Sequence, residues 1–151
     1  MDSVISKRFA YMILLLILFF TGCNRTYAYS FAQSLDNVDK VEICEYDYDS
    51  KSTSTIVALN HADAKALLNE INAMKCKRHF GDHTTNYGEV VIYITYTDGN
   101  AEVIGDRNVA QVDTNGNWHI GIEYFDTDQF LTLITKYVDS DLLPDLDEYA
   151  N

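Results

Sequence analysis

Basic residues are scarce in this chain of 151 residues, which has 11 lysines and arginines against 23 aspartates and glutamates. Setting aside Asp2, Lys7 and Arg8 with the first 22 residues leaves nine basic and 22 acidic residues, a net charge of −13. Nucleic-acid binding needs lysine and arginine clusters to meet the phosphates, so we expect no nucleic-acid partner. The same charge argues against flat docking on anionic lipid and favours a basic protein or peptide partner.

The chain also lacks an apolar run long enough to span a bilayer, which takes roughly 20 residues. Its longest run, residues 9–20 (FAYMILLLILFF), covers 12 residues and directly follows Lys7 and Arg8. A short apolar run behind a basic flank is typical of a secretory signal peptide. We therefore predict that residues 1–22 are an export signal that takes no part in the fold.

The end of this run carries a second motif. Residues 20–23 (FTGC) resemble the lipobox of bacterial lipoproteins, in which an aliphatic residue and two small residues precede an invariant cysteine. Phe20 departs from this pattern, because leucine is usual there. The resemblance implies a diacylglyceryl thioether on Cys23, cleavage before it, and a lipid-anchored protein on the extracytoplasmic face of the cell membrane. Each buried methylene contributes about 0.8 kcal/mol, so two or more acyl chains give stable anchoring.

Two other interpretations of the N-terminus remain open. Residues 26–28 (TYA) are small enough to serve as an ordinary cleavage site, which would release a soluble protein. Alternatively, the apolar run stays attached as an uncleaved anchor. In the lipoprotein interpretation, residues 23–37 are a lipidated tether, residues 38–138 a small domain and residues 139–151 an acidic tail. The tail has five acidic residues and no basic one, and we expect it to be loosely docked or disordered.

The hydrophobic pattern of residues 38–138 predicts an α+β fold of order ββαββββα. Asn60 and Asp126 are the expected N-caps of the two helices. Asp98-Gly99 and Asn115-Gly116 are hairpin turn signals. Tight turns imply an antiparallel sheet of about five to six strands, with both helices on one face. The predicted strands are residues 38–48, 53–59, 89–97, 101–105, 109–113 and 118–125.

Cysteines are few, and besides Cys23 the chain has only Cys44 and Cys76. In an oxidising compartment two such thiols suggest one disulfide, which would join the first strand to the segment after the first helix. Two independent thiols are the alternative.

Residues 76–88 form the longest irregular stretch of the predicted domain. Within it, Cys76, His79, Asp82 and His83 have side chains and spacing suited to zinc. A second cysteine and a helical HExxH context are both missing, so a solvated polar loop is the alternative. Asp113, Asn115 and Asn117 resemble a calcium loop only superficially, and we interpret them as a hairpin turn.

Signatures of catalysis are also missing from the sequence. It contains no Gly-x-Ser-x-Gly elbow and no phosphate-binding glycine loop. We therefore expect no enzyme activity and no cofactor.

The sheet face opposite the helices is the predicted interaction surface. If the helices cover the side of Ile92, Ile94 and Ile122, the other side carries tyrosines, which are enriched at binding surfaces. The predicted face consists of Tyr46, Tyr48, Tyr93, Thr95, His119 and Glu123. The alternative is an ordinary half-exposed sheet, since tyrosine and threonine are good strand formers.

The function we expect is a membrane-anchored extracytoplasmic module that binds a protein or peptide. A metal-handling or hydrolytic lipoprotein using the Cys76–His83 loop is one alternative. A structural protein of the cell envelope is another.

Overall fold

The computed structural model describes residues 26–79 and 87–144, which form an α+β fold with two helices on one face of an antiparallel sheet. This confirms the predicted fold class. The helices are α1 (His61–Ala73) and α2 (Thr127–Ile134). The strands are β1 (Tyr27–Ala28), β2 (Val38–Asp47), β3 (Ser52–Ala58), β4 (Lys75–Arg78), β5 (Val90–Tyr96), β6 (Ala101–Gly105), β7 (Val109–Val112), β8 (Trp118–Ile120) and β9 (Glu123–Tyr124).

The main sheet has six strands in the order β3-β2-β5-β6-β7-β8, and each neighbouring pair is antiparallel. The turns before β6 and β8 carry Gly99 and Gly116 at φ of 86° and 82°, a conformation that glycine adopts without strain. Helix α1 begins where the sequence predicts, because the Asn60 side chain accepts hydrogen bonds from the amides of Ala62 and Asp63. Asp126 caps α2 in the same way.

The main hydrophobic core lies between this sheet and the helices. Helix α1 contributes four buried residues and α2 three, and the facing strands contribute mainly isoleucine and valine. The buried residues of the two helices are Ala64, Leu67, Leu68, Ile71, Phe130, Leu133 and Ile134.

A second, three-stranded sheet, β1-β4-β9, was not predicted. Tyr27 pairs with Cys76, and Lys77 pairs with Tyr124. The predicted tether of residues 23–37 is therefore too long, because Tyr29 is buried in the core and residues 35–37 form a 3-10 turn. Likewise, the predicted irregular stretch of residues 76–88 begins too early, because residues 76–78 belong to strand β4.

The predicted last strand, residues 118–125, is broken into β8 and β9, which belong to different sheets. The break lies at Gly121, whose amide donates to the carbonyl of Val109. A Cβ atom there would lie 2.5 Å from Cγ2 of Val109, so only glycine fits this close approach. Ile122, predicted to face the helices, is exposed as a result.

The first part of the predicted acidic tail is ordered, since residues 140–142 form a 3-10 turn and Leu143 packs against the main core. Within the described residues, no helix is both long and apolar enough to cross a membrane.

Candidate functional site

The predicted tyrosine face is mostly a second hydrophobic cluster. Tyr46 is only 6% exposed, and its ring lies 5.2 Å from that of Tyr87 and 5.8 Å from that of Trp118. Tyr93 is half-buried against the same cluster. Thr95 is half-buried and lies on this face, whereas Tyr48 follows β2 in the turn and is 54% exposed. Tyr46 and Tyr93 therefore pack in this cluster. The prediction that they share an exposed surface was wrong.

His119 and Glu123 do not lie on that face. His119 pairs with Gln111, and this register places it on the helix side of the sheet, while its neighbour Trp118 joins the second cluster. Glu123 belongs to the small sheet, where its carboxylate lies 3.4 Å from the Arg78 side chain. The prediction therefore assigned His119 to the wrong side of the sheet.

The two cysteines are separate thiols. Cys44 is buried in the second cluster and Cys76 in the main core, so the main sheet lies between them. A disulfide requires Cα atoms within about 7 Å and converging Cβ vectors, and residues on opposite sides of a sheet do not meet this condition. The predicted disulfide was therefore wrong, and its alternative, two independent thiols, is correct. Burial, followed by the charge of Glu42, raises the pKa of the Cys44 thiol to about 11.

The described part of the predicted zinc loop does not converge on a metal position. The Cys76 thiol donates to the carbonyl of Tyr27 inside the core. The His79 ring stacks on Tyr124 at 4.3 Å, and its Nε2 lies 2.9 Å from the carbonyl oxygen of Arg107. Asp82 and His83 lie outside the described residues. Among residues 26–79 and 87–144, no group of three metal-ligating side chains is present.

The predicted hairpin at residues 113–117 is confirmed. The Asp113 carboxylate accepts from the amides of Asn115 and Asn117 and from the Asn117 side chain, at 2.8–2.9 Å. These bonds, with those from Asn117 the strongest, lower the pKa of Asp113 to about 2. The three side chains therefore serve the turn itself.

The most deeply buried charge of the described residues is Glu102, at 2% exposure, which sequence reasoning missed. One carboxylate oxygen accepts from the Tyr29 hydroxyl, and the other accepts from the Tyr96 hydroxyl and from the Ala32 amide at 3.0 Å. A single acid within an otherwise apolar strand (AEVIG) was the signal available in the sequence. Hydrogen-bond donors of the chain itself occupy both carboxylate oxygens, and Glu102 thereby joins the N-terminal segment to the sheet.

A polar cleft of about 370 Å³ opens beside Glu102, between β1 and the strands β7 and β8. His119 lies at its rim, and Arg78 and Glu123 pair across part of its wall. Its charged groups are thus mostly paired with one another or hydrogen-bonded by tyrosine hydroxyls.

Strand β3 is a long, unprotected edge of the main sheet. Among the described residues it pairs only with β2, so its outer side presents free backbone groups. Residues 52–58 (STSTIVA) contain no charge and no proline. Natural edge strands usually carry charged residues or proline, or are short, because an open edge can pair with another strand.

The hairpin that carries this edge is strongly acidic. Its residues 39–51 contain two lysines and five acidic residues, namely Asp39, Glu42, Glu45, Asp47 and Asp49.

Within the hairpin, Lys40 pairs with Glu42 at 2.8 Å. The Asp47 carboxylate accepts from the amides of Asp49 and Ser50, and these bonds, with Ser50 first, lower its pKa. The β3 edge therefore lies beside a concentration of negative charge.

Comparison of the chain with protein-family models, with curated proteins and with solved structures finds no significant match.

Proposed function

We propose that this chain is a lipid-anchored, extracytoplasmic binding module that captures a basic, extended peptide on the free edge of β3. The observation that carries the proposal is this edge, seven residues long and uncharged, on an acidic hairpin. Strand addition provides affinity through backbone hydrogen bonds, and nearby side chains provide selectivity. The five acids of the hairpin favour lysine or arginine in the added strand.

The described segment that follows the proposed anchor lies far from the β3 edge. The N-terminal strand β1 lines a cleft together with β7 and β8, whereas β3 is the outer strand at the other edge of the main sheet. Five strand spacings separate β3 from β8, which corresponds to roughly 24 Å. A chain held at Cys23 would thus present β3 away from the anchor.

Lipidation is tested by labelling cells with a fatty-acid analogue. The chain should incorporate the label, and Cys23→Ala should abolish incorporation. Cys44→Ala and Cys76→Ala are matched controls that should keep the label, because both thiols are buried. Unchanged labelling of Cys23→Ala would overturn the anchor.

Peptide capture is tested by amide hydrogen exchange with two probe peptides, one alternating lysine and valine and the other alternating glutamate and valine. The lysine peptide should slow exchange along β3, because its backbone would take up the free edge. Strand β8, the opposite edge of the sheet, is the internal control and should exchange at an unchanged rate. Equal effects of both peptides on β3, or none, would contradict the proposal.

The contribution of charge is tested by the double variant Glu45→Lys and Asp49→Lys. Both side chains are exposed, so we expect the fold to persist and binding of the lysine peptide to weaken at least tenfold in fluorescence polarisation. Asp128→Lys with Asp141→Lys makes the same charge change elsewhere on the exposed surface. That control should leave binding within about twofold, since charges beyond a Debye length of about 10 Å are largely screened.

A further inference from the structure

Few residues separate the proposed anchor from the folded domain. Tyr27 already pairs with Cys76 in the small sheet, so only residues 24–26 separate it from Cys23. Four residue steps span at most about 14 Å when fully extended. This inference rests on the proposed lipidation of Cys23, which would hold the small sheet within that distance of the lipid headgroups.

The small sheet carries a local concentration of basic residues. Strand β4 has the sequence KCKR. Its Cys76 points into the core, so the alternation of a strand directs Lys75 and Lys77 to the outer side. Arg107 is exposed and lines the same surface depression as Lys77, and its carbonyl oxygen contacts the His79 ring.

The acidic residues around this surface are already engaged by the fold. Asp106 is buried and accepts from the Thr127 hydroxyl at 2.7 Å. Asp126 caps α2 by accepting from the Gln129 amide. Glu123 faces Arg78. Hydrogen bonds from neutral donors leave Asp106 and Asp126 charged, so the outer side of the small sheet carries three basic side chains, Lys75, Lys77 and Arg107, against these two carboxylates, whereas the chain as a whole is acidic.

An aromatic pair adjoins the basic residues. Tyr124 pairs with Lys77 across the small sheet and is stacked by His79 at 4.3 Å. Tyrosine is enriched at membrane–water interfaces, where its ring meets the headgroup region and its hydroxyl stays hydrated.

We propose that Lys75, Lys77, Arg107 and the Tyr124–His79 pair form a seat on the anionic headgroups of the membrane that holds the anchor. The net charge of −13 predicts repulsion from such a surface, but that number averages over the whole molecule. Screening limits the interaction to charges within about 10 Å of the lipid. The acidic β2–β3 hairpin carries the β3 edge, roughly 24 Å from β8, whereas the small sheet lines a cleft with β7 and β8, so repulsion by the hairpin is largely screened.

The seat is tested on the full lipidated protein, reconstituted into vesicles of phosphatidylcholine with or without phosphatidylglycerol. Lysine acylation, read by mass spectrometry, reports access to each side chain. We expect Lys75 and Lys77 to react at least threefold more slowly on the anionic vesicles at low salt, with the difference lost at high salt. Lys51 and Lys65, which are exposed and lie outside the seat, should react equally on both.

A matched pair of variants tests the role of charge. Arg107→Glu should reduce the protection of Lys75 and Lys77, whereas Lys65→Glu should not alter it. Equal acylation of Lys75 and Lys77 on both vesicles would overturn the seat and leave the lipid anchor standing. An intact mass without a diacylglyceryl group on Cys23 would overturn both. Protection by a soluble acidic polymer but not by anionic lipid would assign this face to another partner and overturn the seat.

Discussion

The Tyr29 hydroxyl donates a hydrogen bond to the buried carboxylate of Glu102, across 73 positions of sequence. This bond joins the segment that follows the proposed anchor to the centre of the main sheet. Tyr29 is itself buried, and its ring lies 5.2 Å from that of Phe125. The N-terminal segment is thereby a part of the folded domain.

Tyr29→Phe should lower the free energy of unfolding by about 1.5–3 kcal/mol, the range for a hydrogen bond to a charged group. The ring and its packing stay, but Glu102 loses one of its donors. Urea unfolding measures the change. Tyr48→Phe removes the same hydroxyl from an exposed side chain and should change stability by less than about 0.5 kcal/mol. Equal stability of the two variants would contradict the role of Glu102.

Stability should fall as the pH rises above about 10. Burial, followed by the charge of Glu102, raises the pKa of Tyr29 far above its ordinary value, and burial with the Glu102 hydrogen bond does the same for Tyr96. Above the unfolded pKa, the unfolded chain loses these protons while the folded chain keeps them. The free energy of unfolding therefore decreases as the pH rises further.

This pH dependence is measured by urea unfolding between about pH 9 and about pH 11. The double variant Tyr29→Phe with Tyr96→Phe should show a shallower decline than the native chain. A residual decline should remain, because burial also raises the pKa of Tyr87 and of Tyr137 to about 12. Parallel curves for both proteins would argue against the raised pKa values of Tyr29 and Tyr96.

Both internal cysteines should resist a thiol reagent while the chain is folded. With a pKa of about 11, roughly one Cys44 thiol in a thousand is ionised at about pH 8, and the thiolate is the reactive form. Unfolding without a reductant should release two thiols per lipidated chain, Cys44 and Cys76. Detection of none under those conditions would mean that the two are bridged.

Gly105→Ala should disturb the second cluster. A Cβ atom at this position would lie 1.8 Å from the carbonyl oxygen of Tyr87, so the backbone there must shift, at a cost of at least about 1–3 kcal/mol. Tyr87 contacts Trp118 at 5.2 Å, and Trp118 is the only tryptophan of the chain. Its fluorescence spectrum should therefore change.

The control for this substitution is Gly99→Ala. A Cβ atom there would meet only the Thr114 side chain, at 3.4 Å, and the cost comes from the positive φ of 86°, about 1–2 kcal/mol. Gly99→Ala should therefore lower stability without moving the Trp118 spectrum. An unchanged spectrum in Gly105→Ala would contradict the close contact with Tyr87.

The elements that the sequence predicted correctly are those whose signals are local. The N-caps Asn60 and Asp126 act within three residues of themselves, and the apolar stripe of α1 repeats within 13 residues. The hairpin glycines Gly99 and Gly116 likewise act within their own turns. These features required no knowledge of the rest of the chain, because short-range hydrogen bonding and periodicity decide them.

The small sheet had no such signal. Strands β1 and β9 have two residues each, too few to display an alternation. Their pairing depends on contacts between distant residues, such as Tyr27 with Cys76. For this reason the predicted tether was too long and the predicted irregular loop began too early, since residues 76–78 belong to β4.

The sequence by itself determined the α+β class, the helix starts, the acidic balance and the motif at Cys23. Tertiary structure decided which side of a strand is covered. Trp118 and His119 alternate in any register, but only pairing with Val112 and Gln111 places Trp118 in the second cluster and His119 on the helix side. Tertiary structure also separated the acidic hairpin from the basic small sheet, because charge distribution depends on which strands become neighbours.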